Sequence, residues 1–223
     1  IDNPVLNIAL PMPKTLADRW ILSRLDTIIK LVTENIEKFN FSYAGEQLRD
    51  FTWNEVADWY LEIAKIEGKK SEILNYLLNT LLKLWHPFMP FVTEAIWQEV
   101  YGKENLLLVE RWPQESKTVG AEEFTLIKEV ITGIRSLRAE NKIEPAKKLS
   151  AKISAGDKLQ LLTDNIAIIM ALGRLERLEI VELATKPEGV VGFVAGGVEV
   201  FIDLLGVVDI EKEKKRLQLE LEQ

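Results

Sequence analysis

Apolar residues between positions 15 and 65 recur at helical spacing and predict two consecutive helices. Thr15 and Asp18 form a capping-box pair that starts the first helix. Ser42 follows a short turn and is expected to cap the second helix, because its hydroxyl can accept a hydrogen bond from an unpaired first-turn amide. Two long helices joined by a short turn predict an antiparallel hairpin, which needs further helices to complete a bundle. The apolar face of the first helix consists of Leu16, Ile21, Leu25, Ile28, Val32, Ile36 and Phe39.

Helical patterning continues beyond the hairpin. Residues 73–85 carry a wide apolar face that predicts a third helix. Pro87 and Pro90 must interrupt it, because proline lacks an amide proton and its ring crowds the preceding turn. A shorter helix then runs to Gly102, which is suited to a left-handed C-cap. The LLLV patch in the loop that follows is expected to lie over the bundle, with a short strand as the alternative.

A long amphipathic segment at residues 121–141 predicts a fourth large helix. Four such helices can bury their apolar stripes on one another, so the prediction is an α-helical bundle over residues 15–145. Residues 1–14 contain three prolines and are expected to be an extended lead-in from an upstream domain. The predicted fold class is therefore mainly α, with a smaller α+β part after the bundle.

The pattern changes after residue 145. Alternating positions predict two strands separated by a helix, and a β-hairpin follows with Gly196 and Gly197 at its tight turn. Residues 146–208 are accordingly predicted to form a small α+β linker domain. Residues 209–223 show an incipient helical repeat and are expected to be the truncated start of a coiled-coil arm. Fewer than about two heptads cannot specify a coiled coil, so this tail is expected to fray.

Composition narrows the class of protein. Hydrophobic residues make up 47% and charged residues 28% of the 223 positions, which is typical of a globular protein. No apolar run reaches the roughly 18 residues of a membrane span, and no signal peptide is recognisable, so a cytoplasmic location is expected. The chain has no cysteine and one histidine, which argues against disulfides, thiolate chemistry and histidine-rich metal sites. The start without methionine suggests a piece of a longer protein.

The net charge of −7 argues against a general nucleic-acid binder, although local charge matters more than the total. Phosphate loops, dinucleotide-binding glycine motifs and nucleophile elbows are not found in the sequence. The acidic pair Glu122 and Glu123 is expected to complement a helix dipole rather than to catalyse. No catalytic residue and no metal ligand are predicted.

Three segments together resemble a known family: ADRWILSRL, DFTWNEVADWYLEIAK and LWHPFMPFVTEAIW. They are similar to the anticodon-binding domain of the class I tRNA synthetases for branched aliphatic amino acids. The DWYLE segment and the later IRSLRAENKIEPAKK resemble the valine-specific members most, with isoleucine- and leucine-specific members as the alternative. The resemblance extends over nearly the whole chain. A helical protein-interaction module without an RNA role is the alternative from another class.

The resemblance implies a function for the longer protein. Valine-specific members join valine to tRNA(Val) with ATP and Mg, and they remove mischarged threonine in a separate editing domain. The HIGH and KMSKS signatures of the catalytic body are absent from this chain. The chain is therefore expected to need no cofactor and to contribute tRNA recognition only. Its expected partners are the anticodon stem-loop and the catalytic and editing domains of the same polypeptide, in a monomer.

Arg19 and Trp20 open the first helix and are the leading candidates for tRNA contact. An arginine can pair with phosphate, and an indole offers a stacking platform for the unstacked bases of an anticodon loop. The alternative is that Trp20 belongs to the core and Arg19 is a surface charge. Arg24 and Lys83 are weaker candidates. Three other tryptophans are assigned to the core: Trp53, Trp59 and Trp97.

The remaining candidates lie at helix ends. His86 can hydrogen-bond a nucleotide, because the family places this helix break close to the RNA, although a structural role is the commoner one for a lone histidine. Arg135, Arg138 and Lys142 are spaced three and four residues apart, which predicts a shared basic face opposite the apolar stripe. Lys147 and Lys148 extend it. This cluster predicts phosphate contact, with helix-dipole stabilisation as the equal alternative.

Overall fold

The computed structural model describes residues 8–185 and 190–204, which form two compact units, one over residues 8–122 and one over the described residues from 123 onwards. The first unit is helical and the second combines helices with a four-stranded sheet, so the predicted fold class is confirmed. In the described ranges, no helix combines the length and the apolar character that a membrane span requires. The predicted coiled-coil start, residues 209–223, lies outside them.

The described part of the first unit contains five α-helices and one π-helical segment. The predicted third helix is α4 and the shorter helix predicted after it is α5, and the two are separated at the two prolines as expected. The elements are α1 (Leu16–Glu37), α2 (Phe41–Asp50), the π-helix Phe51–Tyr60, α3 (Leu61–Glu67), α4 (Ser71–Trp85) and α5 (Pro90–Tyr101), with a 3₁₀ turn at Leu107–Val109.

The capping box of α1 is confirmed. The Thr15 hydroxyl accepts a hydrogen bond from the Asp18 amide, and the Asp18 carboxylate accepts one from the Thr15 amide. The predicted cap of the second helix is wrong, because α2 begins at Phe41, two residues earlier than a cap at Ser42 requires, and Ser42 already lies inside its first turn. Asn40 takes the cap position without a side-chain hydrogen bond.

The second helix of the hairpin runs without a break through a π-helical segment. Residues Phe51–Tyr60 follow α2 and continue directly into α3. A π-helix has a wider turn than an α-helix, which changes the direction in which its side chains point and often marks a functional region. Regular α-helical spacing therefore mispredicts this segment, and Trp53 is 68% exposed instead of lying in the core. Trp59 and Trp97 are buried as predicted.

A buried carboxylate joins three helical segments at one end of the first unit. The Asp18 carboxylate accepts hydrogen bonds from the Tyr60 hydroxyl and from the Lys70 ammonium group, both over 2.7 Å. Lys70 also pairs with Glu67 at 2.6 Å and donates to the Thr15 hydroxyl at 3.1 Å. Burial alone would raise the pKa of Asp18, but the bonds from Lys70 and Tyr60 hold it below its ordinary value. The start of α1, the π-helix and the start of α4 are thus held together.

The loop after α5 is hydrogen-bonded to α1 at two places. Asp26 on α1 accepts hydrogen bonds from the backbone amides of Ser116 and Thr118, each over 2.8 Å. The Trp112 indole donates to the Thr33 hydroxyl, also over 2.8 Å. Part of the LLLV patch forms the 3₁₀ turn rather than a strand, and its Leu107 packs against the buried Trp97 of the bundle, as predicted.

The second unit consists of α6, a four-stranded sheet and two short helices. The sheet order is β2-β1-β4-β3, with β1 parallel to β2 and all other neighbours antiparallel. The predicted hairpin is confirmed: Gly196 and Gly197 both have positive φ in the two-residue turn between β3 and β4. The elements are α6 (Phe124–Glu140), β1 (Leu149–Ser154), α7 (Leu159–Asp164), α8 (Ile166–Gly173), β2 (Leu175–Val181), β3 (Val191–Ala195) and β4 (Val198–Asp203).

The two compact units divide at residues 122/123, whereas the predicted domain boundary is at 145/146. One helix, α6, causes the difference. α6 was predicted as the fourth helix of the bundle, yet it packs against α8 and β3 in the second unit. Gly133 explains the close contact with the sheet, since a side chain at this position would overlap the ring of Phe193. An apolar stripe predicts that a helix is covered, but it does not identify the element that covers it.

Two tryptophans in the π-helix give a matched test of this packing. Replacing Trp59 by alanine is expected to lower the free energy of unfolding by roughly 3–5 kcal/mol, because the ring is buried. The Trp53→Ala variant is expected to change it by less than about 0.5 kcal/mol, because that ring is exposed. Urea denaturation followed by circular dichroism measures both. Equal losses for the two variants would contradict the described orientation of the segment.

The buried carboxylate predicts a pH dependence. Because the folded-state pKa of Asp18 is lowered from 3.8, its interactions stabilise the fold above about pH 4, and this stability is lost as the pH falls further. The Asp18→Asn variant is therefore expected to lose several kcal/mol at pH 7, as when one partner of a buried pair is removed. The difference from the parent chain should shrink towards pH 3.

Urea titrations at pH 7, 5 and 3.5 measure that difference. Asp58 is exposed, so Asp58→Asn serves as the control and should follow the parent chain at every pH. A stability difference for Asp18→Asn that stays constant with pH would contradict the account.

Candidate nucleic-acid interface

The turn between α1 and α2 and the break between α4 and α5 lie at the same end of the first unit. A side chain added at Gly45, near the start of α2, would lie 3.5 Å from the ring of Phe88 in the break. The Trp85 indole at the end of α4 donates a hydrogen bond to the Thr52 hydroxyl over 3.1 Å. We call this region the aromatic end. Its members are Phe39, Phe41, Trp85, His86, Phe88 and Phe91.

Three phenylalanines of the aromatic end are open to solvent. Phe91 is 90% exposed in the first turn of α5, and Phe39 is 80% exposed beside the half-exposed Phe41. Phe39 and Phe41 stand edge to face, with their ring centres 6.1 Å apart. Trp85 and Phe88 form a second edge-to-face pair at 6.0 Å. Grouped exposed aromatic rings mark a surface that contacts a partner.

His86 provides a defined polar group at the aromatic end. Its Nδ1 lies 2.8 Å from the Thr93 hydroxyl, and that hydroxyl donates its own proton to the Met89 carbonyl over 2.9 Å. A hydroxyl has a single proton, and with that proton assigned to the Met89 carbonyl, Nδ1 of His86 is the donor to Thr93. In the neutral ring Nε2 is therefore a hydrogen-bond acceptor, and no described residue occupies it.

The pair at the start of α1 lies apart from the aromatic end. Arg19 is exposed and makes no side-chain ion pair with the described residues, which fits the predicted phosphate contact as well as a plain surface charge. Trp20 is only 6% exposed, so no ring face is open to a base, and the core alternative describes it. α4 starts beside Asp18 and rises 1.5 Å per residue, which places His86 about 20 Å from Arg19.

Two predicted cations are already paired within the first unit. Arg24 forms a two-pronged ion pair with Glu55, with both nitrogen–oxygen distances at 2.8 Å, and this carboxylate raises the pKa of Arg24. Lys83 lies 3.0 Å from the Glu110 carboxylate and above the ring of Trp97. Each of these charges has a carboxylate partner in the chain, so the interface proposed below does not depend on either residue.

The basic cluster of the second unit does not share one exposed face. Arg138 is buried, and its guanidinium donates to the backbone carbonyls of Lys147 and Glu144 over 2.7 and 3.1 Å. Its expected place on an exposed basic face is therefore wrong, because these carbonyls draw the side chain inwards. Arg135 and Lys142 are exposed, and the Arg135 Nε donates to the Leu172 carbonyl over 3.1 Å.

Some surface residues escaped the sequence analysis. Phe91 directly follows a proline at a helix start, where helical spacing does not indicate which face it will occupy. Phe39 has a positive φ of 61° just after α1, so it turns away from the apolar face to which its spacing assigned it. Arg174 caps α8 in the left-handed conformation, and nothing in the surrounding sequence distinguishes it from an ordinary surface arginine.

Stability measurements distinguish a buried, structural arginine from an exposed one. Arg138→Ala is expected to lower the free energy of unfolding by about 1–3 kcal/mol, because the buried guanidinium is lost and the carbonyls of Glu144 and Lys147 lose their donor. Arg19→Ala is expected to leave the melting temperature nearly unchanged, since Arg19 is exposed. Thermal denaturation of both variants checks this. Unfolding caused by Arg19→Ala would show that Arg19 is structural.

Fold and surface together define a class of protein: a helical bundle with exposed aromatic rings at one end, followed by a small α+β unit. The comparisons with known proteins make the class specific. The family model for the anticodon-binding domain of tRNA ligase matches residues 18–153, more than half of the chain. The chain belongs to this family of tRNA-ligase anticodon-binding domains.

Curated relatives agree with this assignment. The chain is 37% identical to the valine–tRNA ligase of Geobacter sulfurreducens over 222 residues, covering 92% of the chain and 25% of that protein. It is 37% identical to the valine–tRNA ligase of Carboxydothermus hydrogenoformans over 221 residues, covering 93% and 25%. The valine–tRNA ligase of Clostridium tetani is also 37% identical over 216 residues, covering 91% and 24%. The chain spans about a quarter of the length of these relatives.

Proposed function

We propose that this chain is the anticodon-reading part of a valine–tRNA ligase and that the aromatic end receives the anticodon loop of tRNA(Val). Membership of the anticodon-binding family supports tRNA as the partner. The relatives named above are all valine–tRNA ligases, which favours valine over isoleucine and leucine. The observation that carries the location is the nearly complete exposure of Phe91 next to the break that holds His86.

The proposed chemistry is base stacking with one hydrogen-bond acceptor. Anticodon bases are unstacked in a loop, and each base that stacks on an aromatic side chain gains about 1–3 kcal/mol. Phe91 and the Phe39–Phe41 pair offer ring faces or edges without a large rearrangement. The free Nε2 of His86 can accept from an exocyclic amino group of a base. Stacking accepts any base, so the acceptor supplies the discrimination.

The activity of the whole enzyme is part of this proposal. A valine–tRNA ligase would join valine to its tRNA with ATP and Mg, and it would do so in domains outside this chain. Within residues 8–185 and 190–204, no group of three or more histidine, aspartate or glutamate side chains is arranged to hold a metal ion. The chain would contribute recognition alone, in the cytoplasm and as a monomer. Arg19 stays the proposed phosphate contact at the other end of α1.

Removing one ring tests the location of the interface. Phe91→Ala is expected to weaken binding of a valine anticodon stem-loop by about tenfold, because one stacked base loses its platform. The melting temperature should not fall, since the ring is exposed. Fluorescence anisotropy with a labelled stem-loop at low salt measures the affinity.

Met12→Ala is the matched control. Met12 is also an exposed apolar residue of the first unit, but it precedes α1, close to Lys14, whose amide donates to the Asp18 carboxylate at the opposite end of the unit. Its loss should leave the affinity unchanged. Equal affinities for the parent chain and Phe91→Ala would contradict the proposed location, and binding that ignores salt would favour a protein-interaction module instead.

A further inference from the structure

Two adjoining cavities lie in the second unit where the end of α6, the loop before β1 and the end of α8 meet. Their volumes are about 440 and 340 Å³, and both are lined by Pro145 and Arg174. Because they share these residues, we treat them as one cleft, the α6–α8 cleft. It is separate from the aromatic end, which belongs to the first unit.

The lining of the cleft is positively charged. Lys148 lines the larger cavity, Arg135 and Arg138 line the smaller one, and Arg174 lies between them. No aspartate or glutamate is among the described residues that line either cavity. In a chain with a net charge of −7, a concave surface with four cations and no carboxylate is a local reversal of charge.

Arg138 forms a rigid base for the cleft. Its guanidinium is held by the carbonyls of Glu144 and Lys147, and it lies 3.5 Å from the carbonyl of Arg174. Burial and the neighbouring positive charge of Arg174 lower the pKa of Arg138. Two guanidinium groups thus repel each other across the cleft, and an anion bound between them would remove that repulsion.

Arg174 holds an unusual backbone conformation at the same place. It caps α8 with φ 55° and ψ 51°, the left-handed region that glycine normally occupies at this position. Gly173, directly before it, lies inside the helix. The Arg174 Nη1 donates to the Pro145 carbonyl over 2.7 Å, which orients the guanidinium over the cleft. A non-glycine residue kept in a strained conformation is a reason to ask what its side chain does.

We propose that the α6–α8 cleft binds phosphate groups of a nucleic-acid backbone, with Arg174 as the principal contact. Arginine presents a planar fork of donors that matches a phosphate. Two connected cavities and the exposed Lys148 beside them suit a chain of phosphates better than a single ion. The contact positions the nucleic acid without reading its sequence. The inference rests on the proposed function only in taking that nucleic acid to be tRNA.

Arg174→Gly separates this role from a structural one. Glycine accepts the left-handed conformation without strain, so the melting temperature is expected to be unchanged or slightly higher. Binding of a full-length tRNA transcript is expected to weaken about fivefold to tenfold at low salt. The slope of log affinity against log salt should decrease by about 0.7–0.9, the contribution of one phosphate contact.

Arg177→Ala is the charge-matched control. Arg177 is exposed in the same unit and lines neither cavity, so its loss should leave affinity and slope unchanged. An unchanged slope for Arg174→Gly, or an equal effect of Arg177→Ala, would overturn the proposal. Inorganic phosphate serves as the second probe. If it stabilises the parent chain but not Arg174→Gly while tRNA binding is the same for both, the cleft is a site for free phosphate and the proposal fails.

Different results would contradict the two proposed surfaces. Arg174→Gly should weaken a tRNA with the valine anticodon and one with an exchanged anticodon by the same factor, because backbone contacts carry no sequence information. Loss of discrimination between the two tRNAs in Arg174→Gly would contradict a backbone contact. The parent chain could bind the two tRNAs equally well while Arg174→Gly still lowers the salt slope. That result would support phosphate binding in the α6–α8 cleft and contradict anticodon reading at the aromatic end.

Discussion

The first unit depends on one buried carboxylate. Asp18 at the start of α1 receives the Tyr60 hydroxyl from the π-helix and the Lys70 ammonium group from the start of α4. With these segments fixed at one end, helix length decides where the opposite ends fall. The α1–α2 turn and the α4–α5 break meet there, since a side chain added at Gly45 would lie 3.5 Å from the ring of Phe88. The buried polar cluster around Asp18 thereby fixes the position of the aromatic end, which lies at the opposite ends of these helices.

The proposed surfaces of the two units divide RNA recognition between bases and phosphates. Aromatic rings and a single imidazole acceptor at the aromatic end suit unstacked bases, whereas the α6–α8 cleft suits phosphates. Such a division explains how a chain with a net charge of −7 could bind an anionic partner. Base stacking needs no positive charge, and the phosphate contacts need only a local group of cations. Arg24 and Lys83 are already paired with Glu55 and Glu110 within the first unit.

Much of the fold was predictable because helical spacing, caps and prolines are local signals. The capping box at Thr15, the interruption of the third helix by proline and the glycine turn of the hairpin all appear as expected. The site was less predictable. Trp53 is exposed because a π-helix changes the direction of its side chains, and Arg138 is buried because the carbonyls of Glu144 and Lys147 hold it. Neither cause can be read from spacing along the chain.

The central claim is that this chain reads an anticodon by itself. Its most direct test is titration of the chain with a tRNA bearing a valine anticodon and with the same tRNA after exchange of the anticodon, at two salt concentrations. The account predicts tighter binding of the valine anticodon at both salts and weaker binding of both tRNAs at high salt. Equal affinity for the two tRNAs would contradict it and would assign discrimination to other parts of the ligase.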